Sequence, residues 1–460
     1  MKIVIIGNGI AGITAARWIR KHSDHSVTII SEETEFFFSR TALMYVFMGH
    51  MRFKDIKPYE DWFWKKNRLD LMKARVTSID FKNKTLNLEQ SAMTNKLSLN
   101  AQNSKLNYDK LIIATGSKSN KFDWQGQNLD GAHGLYSFQD LQAMERHAGN
   151  KITRAIIVGG GLIGIEMAEM FHARHIPVTI LVREKSFWDS VLPPEESEMV
   201  NRVIRKNGID LRLGVELESI LDENNDGVVD AITTKNGERI ACQFVGLAVG
   251  VSPNVDFLKN TELNINRGIV VNDYLETNIE NVYAIGDCAE IQNPLATRKA
   301  IEAVWYTGRI MGETAATTIC VEKTKYEPGI WFNSAKFLDI EYQVYGDIKT
   351  KPDEQIAQIY WEDKKTGARA IRIQYNKNSG AVLGFNLMGV RYRQEVCEKW
   401  IASETHVEDV LQKLSLANFD PEFYKQPEAE LIAQYNAQNK KNIINTSQRD
   451  LNEVITFIRE

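Results

Sequence analysis

The residues best suited to chemistry are two glycine clusters, Gly7-Asn8-Gly9-Ile10-Ala11-Gly12 and Gly159-Gly160-Gly161-Leu162-Ile163-Gly164, about 150 residues apart. In a G-x-G-x-x-G loop the first glycine turns tightly, the second lets backbone approach a pyrophosphate, and the third lets a helix pack on a strand. The free N–H groups at the start of that helix then face the phosphates. The bare pattern is weak, since glycines also serve turns and packing alone. It gains force when a strand precedes it, a helix follows, and an acid comes about 20 residues later.

The first loop meets all three conditions. It follows the apolar run Ile3-Val4-Ile5-Ile6, opens a helical stretch Ile13–Lys21, and leads to a strand Val27–Ile30 followed by Glu32 and Glu33. Its binding candidates are Gly7, Gly9, Ala11 and Gly12, with an acid to take ribose hydroxyls. The second loop follows Ala155–Val158, opens a helix Ile165–His175 and leads to Val178–Val182. Gly159, Gly161, Ile163 and Gly164 are its candidates. Arg183 stands where the acid is expected, and Glu184 follows. An arginine there pairs with a 2′-phosphate, so the reading leans to NADPH. Glu184 reaching a ribose hydroxyl, or Arg183 as a merely solvated charge, stays open. Two dinucleotide sites in one chain suggest FAD facing NAD(P)H, because hydride transfer links that pair.

These loops need two sheets. Lys110–Ala114 and Gln243–Val249 read as strands returning to them, and Asn281–Ile285 as another ending at Gly286-Asp287. From about Pro328 the character changes. Strand-like segments Ala335–Gly346, Gln355–Glu362, Ala368–Tyr375 and Ala381–Leu387 precede two helices, Gln394–Ser403 and Val407–Leu416. The tail after Asp420 is polar and weakly patterned, and the polar stretch Asn87–Tyr108 reads as a hairpin or surface excursion. The fold class expected is α/β, with two Rossmann-like dinucleotide domains and a C-terminal α+β domain. The boundaries are 1–118 and 245–325 for a split flavin domain, 119–244 for a nicotinamide domain and 326–460 for the last.

Composition narrows the partners. The 460 residues are 43% hydrophobic and 25% charged, with a net charge of −4. That balance leaves no basic footprint for nucleic acid. Cys242, Cys288, Cys320 and Cys397 are far apart, so no redox dithiol and no zinc knuckle is expected, and no metal site is assigned. No apolar run approaches the roughly 20 residues that span a bilayer. Met1-Lys2 leads straight into a strand, leaving no room for a signal peptide. A cytoplasmic protein is expected, with no membrane and no nucleic acid among its partners.

Taken together, the motifs resemble the flavoprotein pyridine-nucleotide oxidoreductases, the fold of glutathione reductase and the ferredoxin reductases. The likeness covers about residues 1–320 well and 328–400 loosely. Ala114-Thr115-Gly116 resembles the family's return to the flavin domain, and Val249-Gly250 its return from the nicotinamide domain. Thr277–Asp287 resembles the second flavin signature, which implies that Asp287 binds a ribitol hydroxyl. The segment from Ser31 to Arg40 and Leu43 implies Glu32 on the adenosine ribose, with Glu33 second choice. It also implies Arg40 near the pyrophosphate and Val76 near the adenine. Glu166 matches an acid near nicotinamide and flavin and is the one catalytic candidate, with a simple dipole role as the alternative.

The departures select a branch. Thr41–Val46 holds no cysteine where the disulfide and peroxidase branches carry theirs. Tyr45 replaces a ferredoxin-reductase lysine, as in the nitrite reductase flavoprotein domain. Asn333 replaces a tryptophan beside the flavin; Trp305 and Tyr306 either compensate or belong to the core. The resemblance implies an NAD(P)H oxidoreductase passing electrons through FAD to a ferredoxin- or rubredoxin-like protein or a nitrite reductase-type partner. A quinone reductase at a membrane surface and a non-enzymatic flavin redox sensor are the alternatives. The C-terminal domain leaves a homodimer open.

Overall fold

Parallel strands buried on both faces are continuous apolar runs, and two such runs organise the molecule. Ile3 to Ile6 and Ala155 to Val158 are all buried. A computed structural model describes residues 1–90, 104–149, 152–420, 426–447 and 450–459. Strand Lys2–Ile6 lies between Ser26–Ser31 and Lys110–Ile113, with Val282–Ala284 and Leu69–Asp80 continuing the sheet in parallel. Strand Ala155–Val158 lies between Val178–Val182 and Phe244–Leu247 in a second parallel sheet, edged by Asp210–Leu213 and Ala132–His133.

The flanks of the expected excursion, Thr85–Gln90 and Ser104–Asn107, pair antiparallel and extend the first sheet. Residues 91–103 lie outside the described ones. Helix Ile10–His22 crosses helix Trp305–Cys320 closely. A Cβ added at Gly312 would lie 2.6 Å from the Ala11 carbonyl oxygen, so only glycine permits that approach. The two sheets are joined where Ser117–Ser119 pairs antiparallel with Val251–Pro253.

The third sheet is antiparallel: Phe332–Phe337, Ile340–Gly346, Val382–Met388, Ala370–Asn376 and Ile356–Glu362 in spatial order. The expected single strand Ala335–Gly346 is therefore a hairpin. Leu338 takes a φ of 48° at its turn, and buried Phe337 and Ile340 on either side make the apolar pattern look unbroken. The tail also differs from its weakly patterned reading. It forms helices Glu428–Asn439 and Leu451–Arg459, held by buried Leu431, Ile432, Tyr435 and Val454. The expected helix Val407–Leu416 ends at Gln412 and continues as a 3₁₀ turn Leu414–Leu416.

This sheet packs on the second nucleotide unit through a buried ion network. The Arg372 guanidinium donates to Glu196 Oε1 and Oε2 at 2.7 and 2.8 Å, to Glu195 Oε2 at 2.7 Å and to Gln358 Oε1 at 2.7 Å. Asn386 adds a bond to Glu196 at 3.1 Å. Glu195 and Glu196 begin helix Pro194–Lys206.

Candidate active site

The two glycine loops are near copies in detail. Gly7 has φ +112°, and a Cβ there would lie 2.0 Å from the Ala114 carbonyl oxygen; Gly159 has φ +124°, and its Cβ would lie 2.2 Å from Ala248 O. A Cβ at Gly12 would meet Gly7 O at 2.1 Å, and one at Gly164 would meet Gly159 O at 2.4 Å. The middle glycines differ from their neighbours: Gly9 and Gly161 face open space, with nothing within 4 Å of an added Cβ. First and third glycines are thus required by the protein's own backbone. The second keeps clear a space that only a ligand would fill, which is the fit a pyrophosphate needs. Each helix N-terminus, at Ile10 and Leu162, points into that space without a side-chain cap.

The first loop opens on a cavity of about 1090 Å³. It brings together most of the expected flavin residues: Gly7, Gly9, Ala11, Glu32, Glu33, Arg40, Val76, Ala114, Thr115, Gly116 and Asp287. Ile163 and Glu166 line the same cavity from the second loop's helix. Gly12 lies behind it as a packing residue. Gly159, Gly161, Gly164, Arg183 and Gly250 are outside this cavity, on the second loop's side. Gly250, at φ +89°, receives the Asn120 N–H on its carbonyl at 3.0 Å. Arg183 is exposed beyond Val182 and paired with Glu184 at 2.6 Å.

The two candidate acids separate clearly. Glu32 is exposed on the cavity rim, 3.5 Å from Arg75. Glu33 is half-buried and holds Arg40 through bonds of 2.9 and 2.6 Å, while accepting the Phe138 N–H at 2.8 Å. Glu33 and Arg40 therefore act as one unit in the cavity wall.

Asp287 follows Gly286, whose φ of +73° brings it against Ala11 of the first loop. Burial pushes the Asp287 carboxyl above its ordinary range, opposed by hydrogen bonds from Ser117 and Tyr136. The Tyr136 hydroxyl donates to Asp287 Oδ2 at 3.3 Å and accepts the Ser117 N–H at 2.8 Å. Its ring lies under the Arg40 guanidinium at 4.5 Å, and Arg40 also donates to its carbonyl. Sequence reasoning missed Tyr136. The signal available was the capping pair Ser137 and Asp140, which fixes the helix Phe138–Ala148 and so aims the residue before it inward. Asn8 was missed too; its amide donates to Thr34 O at 2.9 Å and pins the loop.

Glu166 is pushed up to about 8 by burial and by the neighbouring Glu169. That shift favours the carboxylic acid, which can donate as well as accept. Cys288 is fully buried, burial raises its thiol, and it does not line the cavity. Among the described residues no cysteine lines it. Trp305 does, and at 38% exposure it is not the core residue that was one of its two readings. Tyr306 is half-buried, its ring tilted against Phe332 at 4.2 Å and its hydroxyl bonded to Ser334 at 3.0 Å.

Residues 1–311 match the pyridine nucleotide-disulphide oxidoreductase family. The chain belongs to that family. It is an FAD- and NAD(P)H-dependent oxidoreductase. Among curated relatives, an NADH oxidase of Methanocaldococcus jannaschii is 28% identical over 74% of this chain and 75% of its own length. An NADH-rubredoxin oxidoreductase of Clostridium acetobutylicum is 30% identical over 86% of this chain and 94% of its own. Among solved structures, an NAD-dependent persulfide reductase from A. fulgidus has the same fold, with a TM-score of 0.80, 24% identity and coverage of 96% and 83% of the two chains.

Proposed function

We propose that this chain takes electrons from NAD(P)H through FAD and delivers them to a small redox protein of the rubredoxin or ferredoxin kind. The observation that carries this reading is a dinucleotide-sized cavity bearing no cysteine, with Trp305 exposed at its wall. Among the described residues no thiol lines this cavity, which supports an external acceptor. When bound, the nicotinamide and flavin supply hydride transfer and the release of single electrons.

The protein's own residues bind and orient. Gly9 and the N-terminus of helix Ile10–His22 would hold one pyrophosphate, and Gly161 and the start of helix Leu162–Ala173 the other. Glu32 would accept from the adenosine ribose, with Val76 on the adenine side. Asp287 would accept from the ribityl chain, and Arg40, held by Glu33, would lend positive charge to the phosphates. Glu166, raised by burial, would donate a hydrogen bond to the bound cofactors. Arg183 supports a lean to NADPH. The domain limits 1–118, 119–244, 245–325 and 326–460 belong to this reading, with the limit after 244 moved past strand Phe244–Leu247, which pairs in the second sheet; cytoplasmic placement is part of the same proposal. Among the described residues no helix is long and apolar enough to cross a membrane.

Stopped-flow mixing of the flavoprotein with NADPH and with NADH, followed by oxidised rubredoxin, ferredoxin, a quinone or oxygen, tests this. Flavin absorbance should bleach, and a protein acceptor should restore it at least about tenfold faster than oxygen or quinone, a barrier difference of about 1.4 kcal/mol. Flavin that never bleaches, or that oxygen or quinone restores fastest, overturns the reading.

A further inference from the structure

A second group of chemistry-bearing residues lies outside everything above except one wall of the cavity. Asp130, His133 and His147 place one ligand atom each within 4.8 Å of one another. His147 Nε2 is 2.7 Å from Asp130 Oδ1, and His133 Nε2 is 3.7 Å from the same oxygen. Zinc takes imidazole nitrogens and carboxylate oxygens at about 2.0–2.2 Å in tetrahedral array, which sets ligand atoms roughly 3.3 Å apart. The observed separations bracket that value, so small side-chain rotations close the set.

The three come from rigid elements, which is what a built site requires. Asp130 is anchored by backbone bonds of its N–H to Gly227 O and its C=O to the Val229 N–H, at 2.9 and 3.0 Å. Gly131, at φ +97°, then bends the chain so that His133, on the edge strand Ala132–His133, comes back beside Asp130. His147 reaches in from the last turn of helix Phe138–Ala148. Phe244 closes one side, 6.1 and 6.5 Å from the two imidazoles. His147 is buried, His133 half-buried and Asp130 exposed, leaving an open side for a water ligand. His133 Nε2 accepts the Gly131 N–H at 3.2 Å and would turn from it to the ion.

We propose that Asp130, His133 and His147 form a binding site for one divalent transition cation of the zinc class, with water completing its coordination. Two nitrogens and one oxygen with an open position suit Zn²⁺ or Co²⁺ rather than Mg²⁺ or Ca²⁺, which want oxygen ligands. His133 also lines the large cavity, so the ion would sit at the edge of the cofactor site.

The test is Co²⁺ titration of the tag-free flavoprotein after chelator treatment, read by visible ligand-field absorption and by equilibrium dialysis. One Co²⁺ per chain is expected, displaced by Zn²⁺ and not by Mg²⁺. Asp130→Asn, exposed and therefore tolerated by the fold, should weaken binding at least about tenfold, and His147→Ala should abolish the band; loss of a group that merely orients a ligand already costs about 10–100-fold. No stoichiometric binding by the unaltered chain, or binding unchanged in Asp130→Asn and in His133→Ala, overturns the proposal.

Discussion

At single residues the two loops allow a sharp contrast. Gly9 meets nothing, whereas Gly12 meets backbone at 2.1 Å. Gly9→Ala should fold with unchanged melting behaviour yet lose FAD affinity by at least about tenfold, roughly 1.4 kcal/mol. Gly12→Ala should fail to fold or melt far lower. Equilibrium dialysis of flavin beside circular dichroism separates the two. Glu166 makes a pH prediction. Its folded pKa of about 8 exceeds its ordinary 4.5, so the folded chain keeps a proton that the unfolded chain has lost. Stability therefore falls as pH rises through that window, and is level on either side. Glu166→Gln should remove this part of the slope, seen in urea denaturation across pH 4–9 of the flavin-free protein. A slope identical in both proteins would refute the assignment.

At the scale of elements, the network around Arg372 ties helix Pro194–Lys206 to the third sheet. Both Arg372 and Glu196 are fully buried. Arg372→Ala leaves Glu196 charged and dry, which should cost about 3–5 kcal/mol, while the double change Arg372→Met with Glu196→Leu should recover much of it. Thermal or urea unfolding of the two variants decides this. That network was not legible in the sequence, because its members are 176 residues apart and each alone looks like a solvated charge. The glycine loops were legible because the requirement is local: the first and third glycines are forced by backbone within the same strand–turn–helix unit or by one returning strand, and the middle ones keep a ligand's space clear. The hairpin at Leu338 was hidden since its turn, Leu338-Asp339 between buried Phe337 and Ile340, carries neither glycine nor proline to mark it. Tyr136 was hidden because an aromatic beside a helix start carries no periodic signal. Among the longer helices, Phe138–Ala148, Pro194–Lys206 and Trp305–Cys320 escaped notice; the glycine pattern spoke only for those it opens.

At the scale of the whole molecule, the C-terminal sheet contacts the second nucleotide unit as well as flanking the first. Leu338 N–H bonds to Glu169 at 2.8 Å, and Trp188 meets Phe337 and Tyr342 edge-on. Disrupting this contact with Trp188→Ala should cost about 3–5 kcal/mol at most, less in proportion to the exposure of the indole, and should loosen the second unit first. Hydrogen exchange in strands Ala155–Val158 and Val178–Val182 would report it, with the first sheet unchanged. The paired ribbon of Ser117–Ser119 and Val251–Pro253 has another consequence. The chain leaves the first sheet and comes back to it at hydrogen-bonded neighbours, so everything between is a cassette with one two-wire covalent plug, held otherwise by side-chain contacts such as those of Arg372 and Trp188. Such a cassette can be exchanged for a homologous one without re-routing the host. Nicotinamide preference is thereby free to drift, or to be transplanted, while the flavin half keeps its own ancestry.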